Sequence, residues 1–298
     1  MERALHLYLH SPWREAAEEG KVNLFNRMRD ALHGWTFHFH PDTETERARA
    51  AGRGYGLFHM QEPTAPHILN LRRAYILPFW RIEAVADRWR FDVALAPFTP
   101  GDILSDEAVS FQRRWRIKIL GEAPPRRTGT ILIPLQGRLS DRRSFQSMSP
   151  IDMVETTVER VPDKTIIATL HPREIYTPSE IEALEQIEKR CPRFHLVRSP
   201  SPDLLLNCDA VVTQNSSVAL NGFLADKPAV LFAESDFHHI AGSVPRDGLD
   251  AAFARLSGPP PPFARYVTWF LRRQAINGGA PDCEAQILAR FRRHGWPV

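Results

Sequence analysis

Residues 130–135 read Thr-Ile-Leu-Ile-Pro-Leu, an apolar and β-branched run of the length that one buried strand needs. Runs of the same kind recur at 165–170, 193–197, 210–213 and 229–232. The segments between them have the apolar spacing of helices. Strands that alternate with helices at this spacing predict a parallel sheet covered on both faces. We therefore predict an α/β fold for this part of the chain.

The intervening helices begin with recognisable signals. Ser149 before Pro150 predicts a helix start, because serine caps helices and proline suits the first helical position. Farther along, Ser179 followed by Glu182 predicts a capping box. The predicted helices cover 149–160, 179–190, 202–207 and 217–225.

The N-terminal part predicts a second α/β unit. Its predicted strands cover 5–9, 35–39, 56–60 and 74–77, and its predicted helices cover 14–32 and 106–119. The proline- and glycine-rich segment 121–129 has the composition of an interdomain linker. Beyond the proline-rich patch at 258–262, a final aromatic helix is predicted over 263–275.

Composition excludes several classes of protein. The chain has 298 residues, 43% hydrophobic and 24% charged, which excludes wholesale disorder. The net charge is 38 − 35 = +3, too small to indicate a nucleic-acid-binding protein. The start does not have the pattern of a signal peptide, and no apolar run approaches the roughly 18 residues of a membrane span. We expect a cytoplasmic protein.

The cysteines and the arginine pairs indicate little chemistry. The three cysteines are widely separated and lack metal-ligand spacing, so we expect neither a disulfide framework nor a zinc site. Paired arginines could attract an anionic lipid surface, and thus hold the protein peripherally on the inner membrane, or they could be solvated faces of helices. They occur at 72–73, 113–114, 126–127, 142–143, 272–273 and 292–293.

Polar residues follow the predicted strands of the second half, where such sheets bind ligands. Gln136 and Asp141 come after the strand at 130–135. The carboxylate could receive a proton or orient a hydroxyl group, or it could simply close a turn. The segment 234–239, which contains two histidines, follows the strand at 229–232 and is expected to contact substrate.

Two further groups have the chemistry of anion binding. His171-Pro172-Arg173 follows the strand at 165–170, where proline restricts the backbone and arginine offers a fork suited to phosphate. Asn215, Ser216 and Ser217 precede a helix, whose first turn has unpaired N–H groups. The alternatives are a loop histidine with a surface arginine and an ordinary serine cap.

Taken together, these groups and the segment 220–228 resemble the capsular polysaccharide glycosyltransferases that transfer Kdo from CMP-Kdo. The His-Pro and Ser-Ser elements also resemble those of bacterial CMP-sialic acid sialyltransferases. The resemblance covers about residues 130–245. It implies a GT-B fold of two Rossmann-like domains with a cleft between them. The chain would then divide into an acceptor-side domain 1–120, a linker 121–129, a donor domain 130–262 and a helical segment 263–298 that packs back on the first domain.

The resemblance also implies roles for residues. His171, Ser216 and Ser217 would hold the CMP phosphate and ribose, with Pro172, Arg173 and Asn215 forming the same wall. Asp141 would be the catalytic carboxylate, with Gln136 beside it; Asp141 and Gln136 are thus the catalytic candidates, together with His171. No cofactor is implied, and the absence of an Asp-x-Asp motif after the predicted strands favours a metal-independent reaction.

The predicted function is transfer of an acidic sugar from a CMP-sugar donor to a glycan or glycolipid acceptor in surface polysaccharide synthesis. One alternative is a GT-B enzyme that uses a UDP- or GDP-sugar, because such enzymes share a similar helix-to-strand segment at 220–228. The other is a non-catalytic partner that binds nucleotide or polysaccharide.

Overall fold

A computed structural model describes residues 3–199 and 201–298. The chain divides into two compact units. The first unit contains the chain up to Ala96 together with Phe270–Val298, and the second contains Pro97–Trp269. Each unit is built around one six-stranded sheet.

The described residues contain twelve strands. In chain order they are β1 (Ala4–Leu9), β2 (Thr36–Pro41), β3 (Tyr55–His59), β4 (Ile68–Arg73), β5 (Phe79–Glu83), β6 (Thr130–Pro134), β7 (Thr165–Thr169), β8 (Phe194–Val197), β9 (Ala210–Thr213), β10 (Ala229–Leu231), β11 (Gly242–Ser243) and β12 (Ile276–Asn277).

The same residues contain twelve α-helices. They are α1 (Ser11–Glu18), α2 (Asn23–Ala31), α3 (Glu44–Arg49), α4 (Asp92–Leu95), α5 (Ser105–Leu120), α6 (Pro150–Arg160), α7 (Pro178–Arg190), α8 (Pro202–Leu206), α9 (Ser217–Leu224), α10 (Val244–Ala254), α11 (Phe263–Thr268) and α12 (Cys283–Arg293). None of these helices has the length and apolarity that a membrane crossing requires.

The second sheet has the order β11-β10-β9-β6-β7-β8, and all of its strands are parallel. From β8 to β10 this is the doubly wound 3-2-1-4-5 arrangement. Apolar residues of the strands and of α6 and α7 form its core, among them Ile133, Val154 and Leu184. The predicted strands and helices of this region are confirmed, with ends that differ by at most one residue.

One helix start is confirmed and another is corrected. Ser149 caps α6, since its side chain accepts a hydrogen bond from the Asp152 N–H. The capping box of α7 is formed by Thr177 and Glu180, not by Ser179 and Glu182. Thr177 precedes a proline at the first helical position, so the helix begins one residue earlier than predicted.

The first sheet has the order β12-β5-β4-β3-β1-β2, in which β2, β1, β3 and β4 are parallel. β5 runs antiparallel to β4, and β12 runs antiparallel to β5. Two predictions here are wrong. The helix at 14–32 is two helices, separated at Gly20, whose φ of 71° ends α1. The predicted strand at 74–77 is the turn between β4 and β5.

The first compact unit runs to Ala96, and the second begins at Pro97. Helix α5 belongs to the second unit because Phe111 and Trp115 are buried and Gln112 Nε2 donates to the Phe223 carbonyl at 2.9 Å. The segment after residue 262 is divided between the two units. Helix α11 stays with the second unit, whereas β12 extends the first sheet and α12 packs against α2.

Candidate active site

Four neighbouring strands of the second sheet end level with one another. The register pairs Pro134 with Thr169 and Leu231 with Thr213. The Thr213 hydroxyl also donates to the Pro134 carbonyl at 3.1 Å. Neighbouring strands lie about 4.8 Å apart, so the loops after β6, β7, β9 and β10 share one edge. The predicted catalytic and phosphate-binding residues lie in the first three of these loops or, for Ser217, in the first turn of α9, and the segment 234–239 lies in the fourth loop.

The loop after β9 leads into the first turn of α9. Ser216 is the N-cap, and its Oγ accepts a hydrogen bond from the Val218 N–H at 3.3 Å. Ser217 is the first helical residue and is partly buried. Asn215 Nδ2 donates to the Glu234 carbonyl at 3.0 Å, which ties this loop to the loop after β10. The unpaired N–H groups and partial positive charge of a helix start suit a phosphate.

His171 follows β7, and its ring is held by its own loop. Its Nδ1 accepts a hydrogen bond from the Arg173 N–H at 3.2 Å, and its backbone N–H donates to Tyr176 Oη at 2.8 Å. Because Nδ1 is an acceptor, the neutral ring carries its proton on Nε2. Pro172 and Arg173 are exposed beside it. This loop therefore presents an imidazole N–H donor and a guanidinium at the shared edge.

The loop after β6 contains Gln136 and Asp141. The Asp141 side chain is 54% exposed, and its Oδ2 pairs with Arg138 Nε at 2.9 Å. Arg138 has a φ of 62°, a conformation that is uncommon for residues other than glycine. Gln136 is partly buried, and its Oε1 is enclosed without a hydrogen-bond partner among the described residues. Asp141 is thus an accessible carboxylate with a cationic neighbour.

Glu180 supports this loop and was missed as a positioning residue. Its carboxylate accepts hydrogen bonds from the backbone N–H groups of Thr177 and Leu139, so it fixes the loop after β6 to the start of α7. Burial opposes ionisation of Glu180, but these hydrogen bonds outweigh it and hold its pKa below the usual value. The sequence Thr177-Pro-Ser-Glu180 has the pattern of a capping box, which begins two residues before the predicted one.

The loops after β6 and β7 touch at Gly137. A Cβ at this position would overlap the Glu174 carboxylate, which belongs to the loop after β7. Only glycine allows this approach without displacing Glu174. The two loops that carry Asp141 and His171 are therefore in direct contact.

Two buried glutamines near the same edge were also missed. Gln214 Nε2 donates to the Met148 carbonyl at 3.1 Å, and Gln146 Oε1 accepts from the Arg143 N–H at 2.7 Å. The remaining amide atoms, Gln214 Oε1 and Gln146 Nε2, are enclosed without partners in the described part of the chain. Unsatisfied buried polar atoms cost roughly 1–3 kcal/mol each and are rare in native proteins. No motif marks Gln146 in the sequence.

The histidines of the loop after β10 are bound to protein groups. The Nδ1 atom of His238 lies 3.0 Å from Arg246 Nη1, and Nδ1 of His239 lies 3.0 Å from Tyr266 Oη. Their rings stack at 4.3 Å. These contacts give both histidines a structural role in the second unit. Substrate contact by this loop stays a prediction.

Three potential metal ligands do cluster in the first unit. Ligand atoms of Glu83, Asp92 and His294 lie within 4.8 Å of one another. Asp92 Oδ2, however, pairs with Arg290 Nη1 at 3.1 Å and with Arg293 Nε at 2.7 Å. The guanidinium groups already balance the carboxylate and would repel a cation. This group is therefore better described as an ion-pair network.

An apolar cavity of about 260 Å³ lies within the second unit. It is lined by Leu132 and Pro134 of β6, Leu205 of α8 and Val218 in the first turn of α9. Thr169, Ser201 and Asn221 supply its polar atoms. The cavity thus adjoins both the level strand ends and the helix start that could hold a phosphate.

The fold is similar to that of solved enzyme structures. The beta Kdo 2,7 transferase KpsC of Thermosulfurimonas dismutans matches with a TM-score of 0.52 and 15% identity, covering 97% of this chain and 99% of that chain. The KpsC beta Kdo 2,4 transferase of the same organism matches with 0.47 and 13%, covering 90% and 89%. The Methanocaldococcus jannaschii UDP-GlcNAc 2-epimerase matches with 0.40 and 11%, covering 99% and 100%.

At 15% identity, the first of these matches establishes a shared fold. The α/β architecture of two Rossmann-like domains is thereby confirmed, and the resemblance to Kdo transferases is confirmed at the level of the fold. No protein-family model matches the sequence, and no curated protein matches it significantly.

Proposed function

We propose that this protein is a glycosyltransferase that moves an acidic sugar of the Kdo or sialic-acid type from a CMP-linked donor to a glycan or glycolipid acceptor in surface polysaccharide synthesis. The observation that carries the proposal is that His171 and the Ser216–Ser217 helix start follow β7 and β9, which end at one edge of the second sheet with β6 between them. The fold shared with a Kdo transferase supports it.

The proposed phosphate site consists of donors only. The Nε2–H of His171, the hydroxyl of Ser217 and the N–H groups of the first turn of α9 would bind the phosphate oxygens, and Arg173 adds positive charge. These groups stabilise the phosphate monoester as it leaves, which lowers the barrier to transfer. Imidazole, hydroxyl and amide donors can hold a phosphate by hydrogen bonds without a metal ion. We therefore propose a metal-independent reaction.

The adjoining cavity would receive the nucleobase. Leu132, Leu205 and Val218 offer apolar walls for the faces of a ring, and Ser201 and Asn221 offer hydrogen bonds to its edge. A volume of about 260 Å³ is large enough for one nucleobase. Its place beside α9 fits a base and a phosphate of the same nucleotide.

Asp141 is the proposed catalytic carboxylate. It would either accept the proton of the acceptor hydroxyl or attack the anomeric carbon, and in both roles it must be ionised and accessible. Its side chain is 54% exposed, which makes it accessible to an acceptor or to the anomeric carbon. Gln136, on the same loop, has an unpartnered Oε1 that could accept a hydrogen bond from a sugar hydroxyl.

Ligand-induced stabilisation tests the donor class. A ligand present at 100 times its Kd stabilises the folded state by about 2.7 kcal/mol, so CMP should raise the Tm by several degrees. UDP and GDP should raise it less at equal concentration. Transfer from CMP-Kdo and CMP-sialic acid to glycan acceptors is then measured. A larger shift with UDP or GDP would contradict the CMP assignment, and CMP binding without transfer from any donor would indicate a non-catalytic binding protein.

A further inference from the structure

A second set of ring side chains lies at the carboxyl edge of the first sheet. β1 and β3 are adjacent and parallel, and their register pairs Tyr8 with Phe58. His59 is the last residue of β3, and His10 follows the end of β1. The register therefore brings these two histidines together, although 48 residues separate them in the sequence.

The two imidazoles face each other as a pair. Their ring centroids are 5.6 Å apart, with an interplanar angle of 69°. Trp13 packs on His59 with a centroid distance of 4.5 Å, and this indole also stacks on Trp80 at 5.5 Å and 14°. The stacked indoles hold the His59 ring in place, so the pair is preorganised.

Neither imidazole has a hydrogen-bond partner within residues 3–199 and 201–298. His10 is exposed, His59 is partly buried, and Met60 beside it is 45% exposed. His6 and His40 of the same sheet differ, because His6 Nδ1 and His40 Nε2 lie 2.9 Å apart and bond to each other. The edge of the sheet therefore presents free ring nitrogens that a ligand can reach.

The charge state of His59 suits neutral ligand groups. Burial lowers its pKa to about 4, with smaller electrostatic effects of His10, Arg72 and Arg73 in the same direction and an opposing effect of Asp42. The ring is therefore neutral at pH 7, with one nitrogen as donor and one as acceptor. A hydroxyl group likewise donates and accepts one hydrogen bond at a time, so the two groups are complementary.

We propose that His10 and His59 form a carbohydrate-binding subsite that holds hydroxyl groups of the sugar acceptor. The role of this sugar as the acceptor rests on the proposed function, whereas the binding of a sugar at this edge does not. The two neighbouring imidazoles, with ring centroids 5.6 Å apart, can each form a hydrogen bond with a hydroxyl group of one sugar ring. The exposed Met60 would contact the apolar face of that ring.

The test is direct binding without a donor. The methyl glycosides of Kdo and of glucose are titrated into the full-length protein and its variants, and binding is followed by saturation-transfer NMR. His10→Ala and His59→Gln should each raise the Kd of the bound glycoside at least fivefold. His33→Ala, an exposed histidine of the same unit, is the matched control and should leave the Kd unchanged.

CMP titrations on the same samples separate this inference from the proposed function. CMP affinity should be equal in all four proteins, because no residue of the CMP site is changed. Equal glycoside affinity in wild type and His10→Ala would overturn the subsite, and this exposed position keeps the test valid if His59→Gln does not fold. Failure of wild type to bind either glycoside would also overturn it. Glycoside binding without CMP binding would support the subsite and would contradict only the proposal of a CMP-linked donor.

Discussion

The two sheets use their carboxyl edges differently, although both place a histidine just after a parallel strand and a proline in the following residues. In the second unit His171 Nδ1 is occupied by the Arg173 N–H, which leaves one oriented donor beside a helix start. In the first unit the ring nitrogens of His10 and His59 have no hydrogen-bond partner among the residues that the structure describes. The second edge is suited to a fixed anion, whereas the first is suited to neutral groups that donate and accept.

The largest effect should come from the catalytic carboxylate. Asp141→Asn keeps the size of the side chain but removes its charge, so turnover should fall at least about a hundredfold, the usual scale for losing a positioned proton acceptor. CMP affinity and Tm should stay close to wild type. Turnover from CMP-Kdo is measured beside Asp163→Asn, an exposed turn aspartate of the same unit, as the control. Near-normal turnover would show that Asp141 only closes a turn. A glycosyl adduct trapped on Asp141 would show that its carboxylate attacks the anomeric carbon directly.

The next effect concerns the oriented donor. Charge-assisted hydrogen bonds contribute roughly 1.5–3 kcal/mol, so His171→Ala should weaken CMP binding about tenfold or more. Calorimetric titration with CMP measures the change. His195→Ala, on the exposed surface of β8, should bind CMP as tightly as wild type. Equal CMP affinity of the two variants would contradict the role of His171 as a phosphate donor, and with it the contrast between the two edges.

Glu180 tests whether the second edge depends on its support. Glu180→Ala leaves the Leu139 N–H and the Thr177 N–H unpaired, and should lower the free energy of unfolding by about 1–3 kcal/mol. Because the folded-state pKa of Glu180 is lowered, its contribution is present above the unfolded value of about 4.3 and is lost as pH falls through the folded pKa. Urea unfolding at pH 7 and pH 3 should show a smaller difference between variant and wild type at pH 3. An equal difference at both values would contradict this origin.

The first unit should have its own dependence on pH. The pKa of His59 is lowered to about 4, mainly by burial, and that of His6 is lowered to about 4 for the same reason. The unfolded chain therefore binds more protons below about pH 6.5, and stability should decline from there to about pH 4. His6→Gln and His59→Gln should each make the plot of Tm against pH flatter in this interval. A slope as steep as that of wild type would exclude these rings as its source.

The smallest effect is expected at Lys227. This side chain is 2% exposed, and its Nζ donates to the Arg126 carbonyl, so it braces the scaffold below the second edge. Lys227→Met keeps most of the volume and should cost about 1 kcal/mol of stability, with CMP affinity unchanged. Thermal unfolding and CMP titration of one preparation measure both. Lost turnover at normal stability and normal CMP affinity would instead place Lys227 among the catalytic residues.

Sequence reasoning succeeded where structure is determined locally. The strands of the second sheet are short apolar runs, and Ser149 and Pro150 mark a helix start within two residues. The site residues could be grouped because parallel strands end at one edge. The supporting contact of Glu180 with Leu139 spans 41 residues, and nothing in the local pattern indicates it.

Sequence reasoning failed where buried strands contain polar residues. Asn70, Arg81 and Glu83 are at most 1% exposed within β4 and β5, so the apolar pattern of a strand is interrupted. Arg81 is accommodated because its guanidinium donates to the carbonyls of Gln274 and Phe270, about 190 residues away. Partners at that distance are invisible to any local pattern, and the pair of His10 and His59 was missed for the same reason.

The division of the first unit between two stretches of chain has a consequence for biosynthesis. The second unit is encoded between Ala96 and Phe270, so a ribosome completes all of it before it makes β12, α12 and the carbonyl groups that receive the Arg81 guanidinium. Until residues 270–298 emerge, the Arg81 guanidinium lacks these two carbonyl acceptors and the early sheet lacks β12. The order of maturation should therefore reverse the order of synthesis, with the second unit reaching its native state before the first unit has received residues 270–298.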